Sequence, residues 1–350
     1  MSALALRRGT VASVESTGPL TRLTVDVAGE QRPAIAYERL TGAVEPGDDV
    51  VVNVAGRDLG LGSGGFDVVH VNLTRGLEGT GIEGAHVMKL NYSSLQHAVH
   101  PLEERAGGAT EQVLGDLPLR RPVAVISLHG QLPCVAWAAA DRSPGIKVGF
   151  VQTAGGALPG SLSDVVRDLL ERDLLCGHVT AAPAFDGEHE AISAPGAIHA
   201  ALTELGWDAC IAGPGPGILG SATALGHGGL AGLDTAHAAL ALGCPTIVVP
   251  RMSSGDARPR HQGLSHHTTT VLELLLRPAL VAVPAGALVN LPGEHEARAA
   301  EVDLDGYAAS QLPARTMGRS MEEDELFFRA ALAGGGVLAE VAAATEPAAS

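Results

Sequence analysis

Apolar segments of strand length alternate with helical segments from Pro122 onward, and this alternation constrains the fold more than any other feature of the chain. Apolar strands that alternate with helices are typical of a parallel sheet covered by helices on both faces. We therefore predict a doubly wound, mostly parallel α/β domain. Its six predicted strands are Val123–Leu128, Lys147–Gln152, His178–Phe185, Asp208–Ala212, Thr246–Pro250 and Leu280–Val283.

Helices are predicted between these strands. The clearest is Ser161–Leu175, whose apolar residues recur at the spacing of one helix face. Ser161, with Asp164 three residues later, resembles a capping box and is the predicted start of this helix. The other helices are predicted at Leu132–Ala140, Ala197–Leu205, Leu230–Leu242, Ser265–Leu276 and Met321–Leu332.

The first 73 residues have a different pattern, in which short β-branched segments are separated by Gly and Pro turns. Strands this short and closely spaced indicate a small barrel or sandwich. We expect a small β domain at 1–73, a bridge at 74–121 that includes a loop at Ala106–Thr110, the α/β domain at 122–292, and a helical extension at 293–350 that ends in a frayed tail, Thr345–Ser350.

Charge and cysteine content exclude several classes of protein. The chain has 23 basic and 39 acidic residues and a formal net charge of −16, which argues against nucleic acid and an anionic membrane surface as partners. Its four cysteines form no C-x-x-C pair, and no secretory signal or membrane-spanning run is visible. We expect a cytoplasmic protein with reduced thiols. The sequence leaves open whether identical chains assemble into an oligomer.

Polar and glycine-rich segments follow the predicted strands, and the carboxyl ends of parallel strands meet at one edge of a sheet. Gly213, Gly215 and Gly217 follow one such strand. Glycine-rich backbone lets a ligand approach closely, and its N–H groups bind anions. The loop lacks the Walker signature, and its two prolines remove donors. A rigid packing turn is therefore an equally weighted alternative to anion or nucleotide binding.

The segment Arg251–His267 is the densest in functional side chains. Arginine forks suit carboxylate and phosphate, so Arg251, Arg258 and Arg260 are predicted to bind an anionic ligand. Ser265 is the predicted N-cap of a helix whose first turn contains two histidines. The alternative is that the arginines pair with surface acids and that one histidine only packs. The candidate metal ligands here are Asp256 and His267, and the candidates for proton transfer are His261 and His266.

His129 follows the first strand of the α/β domain and is the third candidate for acid–base chemistry. A lone histidine at such a position is as often a hydrogen-bonded structural residue. Few aromatic residues are available to stack on a nucleobase, since the chain has five Phe, two Trp and three Tyr. This scarcity favours phosphate or carboxylate recognition.

Four segments resemble a known family: KLNYSSLQHAV, SLHGQLP, GPGPGILGSATALGHGGL and PRMSSGDARPRHQGLSHHT. They are similar to an uncharacterised bacterial family, the domain of unknown function 3866, and the resemblance covers nearly the whole chain. It implies a cytosolic bacterial protein of about this size. It implies no established activity, so no functional residue is carried over from it.

The function that these residues favour is an enzyme acting on a small anionic metabolite, phosphorylated or carboxylated. The sequence leaves the reaction type and the cofactor open, and among the reactions it favours metal-assisted hydrolysis with a divalent metal. A non-catalytic ligand-binding or sensing protein using the same pocket is the first alternative. An interaction scaffold, with the β domain as its binding module, is the second.

Overall fold

The structure, a computed structural model, describes residues 3–61, 64–105, 114–115, 117–221 and 223–345. The predicted loop Ala106–Thr110 and residues 346–350 of the predicted frayed tail lie outside the described residues. Contacts divide the chain into two compact units, Met1–Val99 and His100–Ser350. The segment predicted as a bridge, 74–121, therefore contributes residues to both units.

The first unit contains a closed five-stranded barrel, in the order β1-β2-β3-β5-β4. Closure leaves the strands without free edges. Alternate residues such as Val50 and Val52 point inward and are fully buried. The strands are β1 (Leu6–Ser16), β2 (Leu20–Val27), β3 (Glu30–Tyr37), β4 (Asp49–Asn53) and β5 (Asp67–Asn72), with helices α1 (Glu38–Thr41) and α2 (Ala55–Asp58) and a hairpin of β6 (Val87–Lys89) and β7 (His97–Val99).

The second unit contains an eight-stranded sheet in the order β11-β10-β9-β12-β8-β13-β16-β17, and all neighbouring strands are parallel. All six predicted strands are present. The two additional strands, β11 and β17, lie at the sheet edges, and their short or polar sequences show no apolar run. The strands are β8 (Val123–Ile126), β9 (Val148–Thr153), β10 (His178–Ala181), β11 (His189–Ala191), β12 (Ala209–Pro214), β13 (Thr246–Val249), β16 (Leu280–Pro284) and β17 (Glu296–Ala300).

Helices cover both faces of this sheet, which confirms the predicted α/β class. On one face, α4 (Leu132–Arg142), α5 (Asp164–Glu171) and the long C-terminal helix share a core with the sheet. The opposite face is covered by α6 (Ala194–Thr203) and α7 (Ala231–Ala241). Further helices are α3 (Leu102–Arg105), α8 (His266–Leu274), α9 (Leu304–Ala309) and α10 (Glu325–Thr345).

Helix α5 begins later than its sequence pattern indicates. Gly160–Leu162 forms a 3-10 turn, and the hydroxyl of Ser163 accepts the N–H of Val166 at 3.1 Å. Ser163 is therefore the N-cap, and the prediction that Ser161 starts the helix is wrong. The hydroxyl of Ser161 donates instead to the carboxylate of Asp186.

Helix α10 is longer than predicted because glycine here serves packing rather than ending the helix. A Cβ on Gly335 would lie 2.3 Å from the carbonyl oxygen of Val135 in α4, so only glycine allows the two helices to approach this closely. Among the described helices, α10 alone is long and apolar enough to cross a membrane. However, 72% of its apolar window is buried inside the protein, as in a core helix.

The order of the strands creates a crevice beside the sheet. Strand β9 connects through α5 to β10 in one direction, whereas its neighbour β12 connects through α7 to β13 in the other. Two adjacent strands that send the chain in opposite directions define a topological switch point, where open α/β sheets bind ligands.

Two short hairpins complete the second unit. Strands β14 (Met252–Ser253) and β15 (Gly263–Leu264) pair within the loop that follows β13. A 3-10 turn at Pro259–His261 lies between them. Strands β18 (Arg315–Thr316) and β19 (Arg319–Ser320) form the other hairpin, just before α10.

Candidate functional site

A crevice lies at the switch point between the loops that follow β9 and β12. Its volume is about 370 Å³, and it is open to solvent. Backbone and glycine residues form most of its wall, and one histidine contributes a titratable side chain. The lining residues are Gly155, Gly156, Leu219, Gly220, Gly226, His227 and Gly228.

The two loops touch through their backbones, and this contact requires glycine. A Cβ on Gly156 would lie 2.1 Å from the carbonyl oxygen of Gly215, and one on Gly228 would lie 2.1 Å from that of Gly155. Gly155 itself has a φ of +110°, which L side chains rarely adopt. The glycines therefore set the width of the crevice.

The three glycines predicted to hold a ligand lie outside the cavity lining. Gly213 is a buried residue of β12, where a Cβ would lie 2.4 Å from the carbonyl oxygen of Ile126. Gly215 packs against the backbone of Ala157, where a Cβ on Gly215 would lie 2.3 Å from the carbonyl oxygen of Ala157. Gly217 is exposed, with a φ of +71°. Close packing thus accounts for the first two, and a left-handed turn accounts for the third.

Four imidazole rings gather next to the crevice: those of His227, His261, His266 and His267. The rings of His227 and His267 stack with centroids 3.7 Å apart, and four further pairs in this cluster lie between 4.4 and 5.5 Å apart. Ser265 caps α8 as predicted, since its hydroxyl accepts the N–H of His267. The same hydroxyl is hydrogen-bonded to Nδ1 of His261 at 2.7 Å.

Burial lowers the pKa of all four histidines. It brings the pKa of His261 to about 4 and that of His267 to about 2, and neighbouring positive charges act in the same direction. The pKa values of His227 and His266 are also lowered, mainly by burial. At neutral pH the rings are therefore uncharged and have nitrogen lone pairs available.

A buried ionic network supports this cluster. The guanidinium of Arg251 donates to Nδ1 of His267 and to the carboxylate of Asp256, each at 3.2 Å. Arg258 donates to both oxygens of the same carboxylate, at 2.8 and 2.7 Å. The Arg258 hydrogen bond holds the pKa of Asp256 well below its usual range. Arginines thus occupy this carboxylate, which was predicted as a metal ligand.

Two of the predicted anion-binding arginines reach solvent. The side chain of Arg258 is 47% exposed although it pairs with Asp256. Arg260 is exposed, and its charge is close enough to contribute to the lowered pKa of His266. Arg251, by contrast, is buried, and burial lowers its pKa to about 10.

Asp324 holds the start of the loop that contains these residues, and the sequence patterns did not indicate it. Its buried carboxylate accepts the hydroxyl of Ser253 at 2.8 Å and the backbone N–H groups of Ser254 and Gly255 at 2.9 and 3.1 Å. Arg319 donates to it as well, at 2.9 Å. The residue precedes α10, far along the chain, so only the tertiary fold reveals its role.

His129 occupies a separate position at the same edge of the sheet. Its Nδ1 is hydrogen-bonded to the carbonyl of Pro214 at 3.1 Å and its Nε2 to the hydroxyl of Ser163 at 2.7 Å. Burial lowers its pKa to about 4. The ring therefore links three strand-end segments, and its aromatic contact is with Phe150. The structure brings together His261, His266, His267, Arg251 and Asp256, but not His129.

His227 is the member of the cluster that sequence reasoning did not select. It lies in the glycine-rich stretch that follows β12, immediately before the 3-10 turn Gly228–Leu230 that leads into α7. A histidine flanked by glycines after a parallel strand was the available signal.

The fold and this arrangement define the class: a doubly wound α/β protein with a small N-terminal barrel and a histidine–arginine cluster beside its switch-point crevice. The chain belongs to the protein family of unknown function DUF3866, whose model matches residues 33–335.

Comparisons with individual proteins add little to this assignment. No curated protein matches the sequence. A solved structure, YjeQ from Thermotoga maritima, matches at 14% identity with a TM-score of 0.15. The match covers 50% of this chain and 51% of that one, so the chain spans about half the length of that protein.

Proposed function

We propose that the protein is an enzyme that binds a small anionic metabolite, phosphorylated or carboxylated, at the switch-point crevice. One observation carries the proposal: a crevice walled by glycine backbone adjoins a cluster of four uncharged imidazoles that is flanked by arginines. Glycine-rich walls allow close approach of a ligand, and guanidinium groups neutralise its charge.

The three arginines would have two different roles, ligand binding and the positioning of a histidine. Arg258 and Arg260 are exposed and would meet the anion. Arg251 is buried and would act through His267, whose ring it orients. Asp256 offsets the charge of Arg251 and Arg258, so the cluster is held together before a ligand binds.

Metal-assisted hydrolysis is the reaction that we propose. The oxygen of a water molecule forms a bond to the phosphorus or carbonyl carbon, and the bond to the leaving group breaks. His261 would take a proton from the water and return it to the leaving group. The four free cysteines support a reducing compartment, which we propose is the cytoplasm.

The test is ligand-induced stabilisation of the full chain, followed by turnover. Inorganic phosphate, a nucleoside monophosphate, a sugar phosphate and a dicarboxylate are titrated in thermal-shift and calorimetric assays, and p-nitrophenyl phosphate and p-nitrophenyl acetate report hydrolysis. We expect saturable stabilisation by at least one anion and a loss of affinity of about tenfold in Arg260→Gln, since a charge-assisted hydrogen bond contributes about 1.5–3 kcal/mol.

Arg142→Gln is the matched control, because Arg142 is an exposed arginine of α4 that pairs with Glu340. It should bind as the wild type does. Binding without turnover would favour the sensor over the enzyme. If no anion stabilises the protein, or if Arg260→Gln binds unchanged, the proposed site is wrong.

A further inference from the structure

We propose that His227, His266 and His267 form a binding site for a transition-metal dication of the zinc class. Each contributes one ring nitrogen, and these atoms lie within 4.8 Å of one another. His227 lies in the loop that follows β12, and His266 and His267 lie in the first turn of α8, which comes after the loop that follows β13. Adjacent side chains of a helix point about 100° apart, yet the rings of His266 and His267 are 4.4 Å apart at the start of α8.

Unpartnered nitrogens are the observation that points to an ion. Nε2 of His266 is buried without a hydrogen bond, and neither ring nitrogen of His227 has a hydrogen bond of normal geometry. The backbone of Ala224 lies close enough to His227 to raise its pKa against the larger effect of burial, which leaves the other ring nitrogen for an ion. His227 as a whole is only 6% exposed. A buried polar atom without a partner costs about 1–3 kcal/mol, and native proteins rarely leave one unexplained. A metal ion would take one lone pair from each ring.

The surrounding backbone leaves room beside these atoms. A Cβ on Gly229 would lie 3.1 Å from Nδ1 of His227 and 3.5 Å from Nδ1 of His267. Gly229 is buried in the turn between His227 and α7, so its missing side chain keeps the space between the two rings clear.

The remaining contacts orient the rings and balance the charge. The guanidinium of Arg251 lies 3.2 Å from Nδ1 of His267 and orients that ring. Asp256 and Asp324 offset the charges of Arg251 and Arg319. These carboxylates therefore reduce the repulsion between the arginines and an incoming cation.

The donor set selects the kind of metal. Neutral imidazoles suit zinc, cobalt, nickel and copper, whereas magnesium and calcium prefer oxygen ligands. The one carboxylate of the cluster, Asp256, is occupied by arginines. Three protein ligands would leave a coordination position open, the pattern of catalytic rather than structural zinc. His227 also lines the crevice. The inference that the metal is catalytic therefore deepens the proposed function and rests on it.

The experiment is metal binding to the full chain without a histidine tag. The protein is stripped with a chelator and titrated with Zn²⁺ by calorimetry. Bound metal is then counted by elemental analysis after dialysis, and Co²⁺ is added to record its visible ligand-field spectrum. We expect one equivalent of Zn²⁺ and a cobalt spectrum of four- or five-coordinate type. His227→Gln and His266→Gln should each weaken Zn²⁺ binding by about 100-fold or more, since even outer-shell changes cost about 10–100-fold.

His237→Gln is the matched control, because His237 is a histidine of α7 that bonds the backbone of Leu276. Circular dichroism shows whether each variant is folded. His266 is half-exposed, so its variant keeps the test valid even if His227→Gln does not fold. The inference is overturned if the stripped protein takes up neither metal, or if both folded variants bind Zn²⁺ as the control does.

The anion test separates this inference from the proposed function. If the protein takes up no metal but binds an anion that Arg260→Gln no longer binds, the proposed anion site stands and the metal site fails. Stoichiometric zinc without any response to anions would support the metal site and contradict the proposed function.

Discussion

The imidazole rings of His227 and His267 lie face to face, with centroids 3.7 Å apart and planes 10° from parallel. His227 follows β12 and His267 lies in the first turn of α8, after β13, so this stack joins the wall of the crevice to the start of that helix. Two protonated rings at this separation would repel each other, and the burial that lowers both pKa values removes that repulsion.

Gly229→Ala tests the space beside this stack. The new Cβ would lie 3.1 Å from Nδ1 of His227, which is tighter than normal contact, so that ring must shift by a few tenths of an ångström. We expect Zn²⁺ affinity to fall by about tenfold, because metal sites depend on closely held ligand geometry. Calorimetric titration measures the change.

Gly232→Ala is the control for this substitution. Its Cβ would meet only ordinary contacts, the nearest being a Val125 methyl group at 3.7 Å. Equal zinc affinity in the two variants would contradict the role assigned to the space at Gly229.

Gly156→Ala tests the backbone contact that sets the width of the crevice. A Cβ placed 2.1 Å from the carbonyl oxygen of Gly215 forces the two loops apart. We expect the free energy of unfolding to fall by about 1–3 kcal/mol, the usual cost of overpacking, and anion-induced stabilisation to decrease with it. Urea denaturation measures the first effect, and thermal shift the second.

Gly220→Ala is the matched variant in the same cavity wall. Its Cβ would meet only the Cβ of His227, at 3.6 Å, so its stability should stay within about 0.5 kcal/mol of the wild type. If the Gly156→Ala protein is as stable as the Gly220→Ala protein, the backbone contact between the two loops does not contribute to stability and the prediction is wrong.

Asp324→Asn tests the anchor of the loop that follows β13. The amide keeps the shape of the carboxylate but turns a donor toward groups that also donate, the hydroxyl of Ser253 and the N–H groups of Ser254 and Gly255. We expect a loss of about 1–3 kcal/mol of stability, because buried donors lose their acceptor. Anion and zinc affinities should also fall, since the loop positions the histidines.

Glu325→Gln, at the next position, removes a charge whose exposed partner is Arg329. Its denaturation midpoint and ligand affinities should match those of the wild type. The anchoring role of Asp324 fails if both variants behave alike.

The pH dependence of stability reports the buried His178. Burial lowers its pKa to about 3, its ring stacks on Phe150, and its Nε2 bonds Gln152 at 3.2 Å. Because its pKa is about 6.5 when unfolded, the unfolded state binds the extra proton between pH 6.5 and 3. This contribution to stability is complete above pH 6.5 and declines as the pH falls, by up to about 1.4 kcal/mol per pH unit.

His178→Gln removes this titration and retains a side chain able to bond Gln152. Urea denaturation at a series of pH values between 7 and 4.5 should show that the free energy of unfolding declines less steeply in the variant than in the wild type. The difference in slope should correspond to about one bound proton. Parallel curves for the two proteins would show that His178 does not carry the expected acid sensitivity.

The sequence by itself determined the class of fold. Apolar runs such as Val123–Leu128 and Thr246–Pro250 must be buried on both faces, which requires a parallel sheet with helices on each side. The closely spaced β-branched segments before residue 73 form the barrel for the same reason: a short alternating strand buries its apolar side only against another strand. The local density of Arg251–His267 also identified the loop whose histidines and arginines cluster.

Only the tertiary structure decided which of these residues meet. His227 joins the histidines of α8 because β12 and β13 lie on either side of β8 and end at the same edge, a relationship that no local spacing encodes. Asp256 is tied to arginines and His129 to Pro214 and Ser163, since buried polar groups take the nearest partner that the fold supplies. Residue types follow from local sequence, whereas hydrogen-bond partners and free lone pairs depend on contacts between segments far apart in the chain.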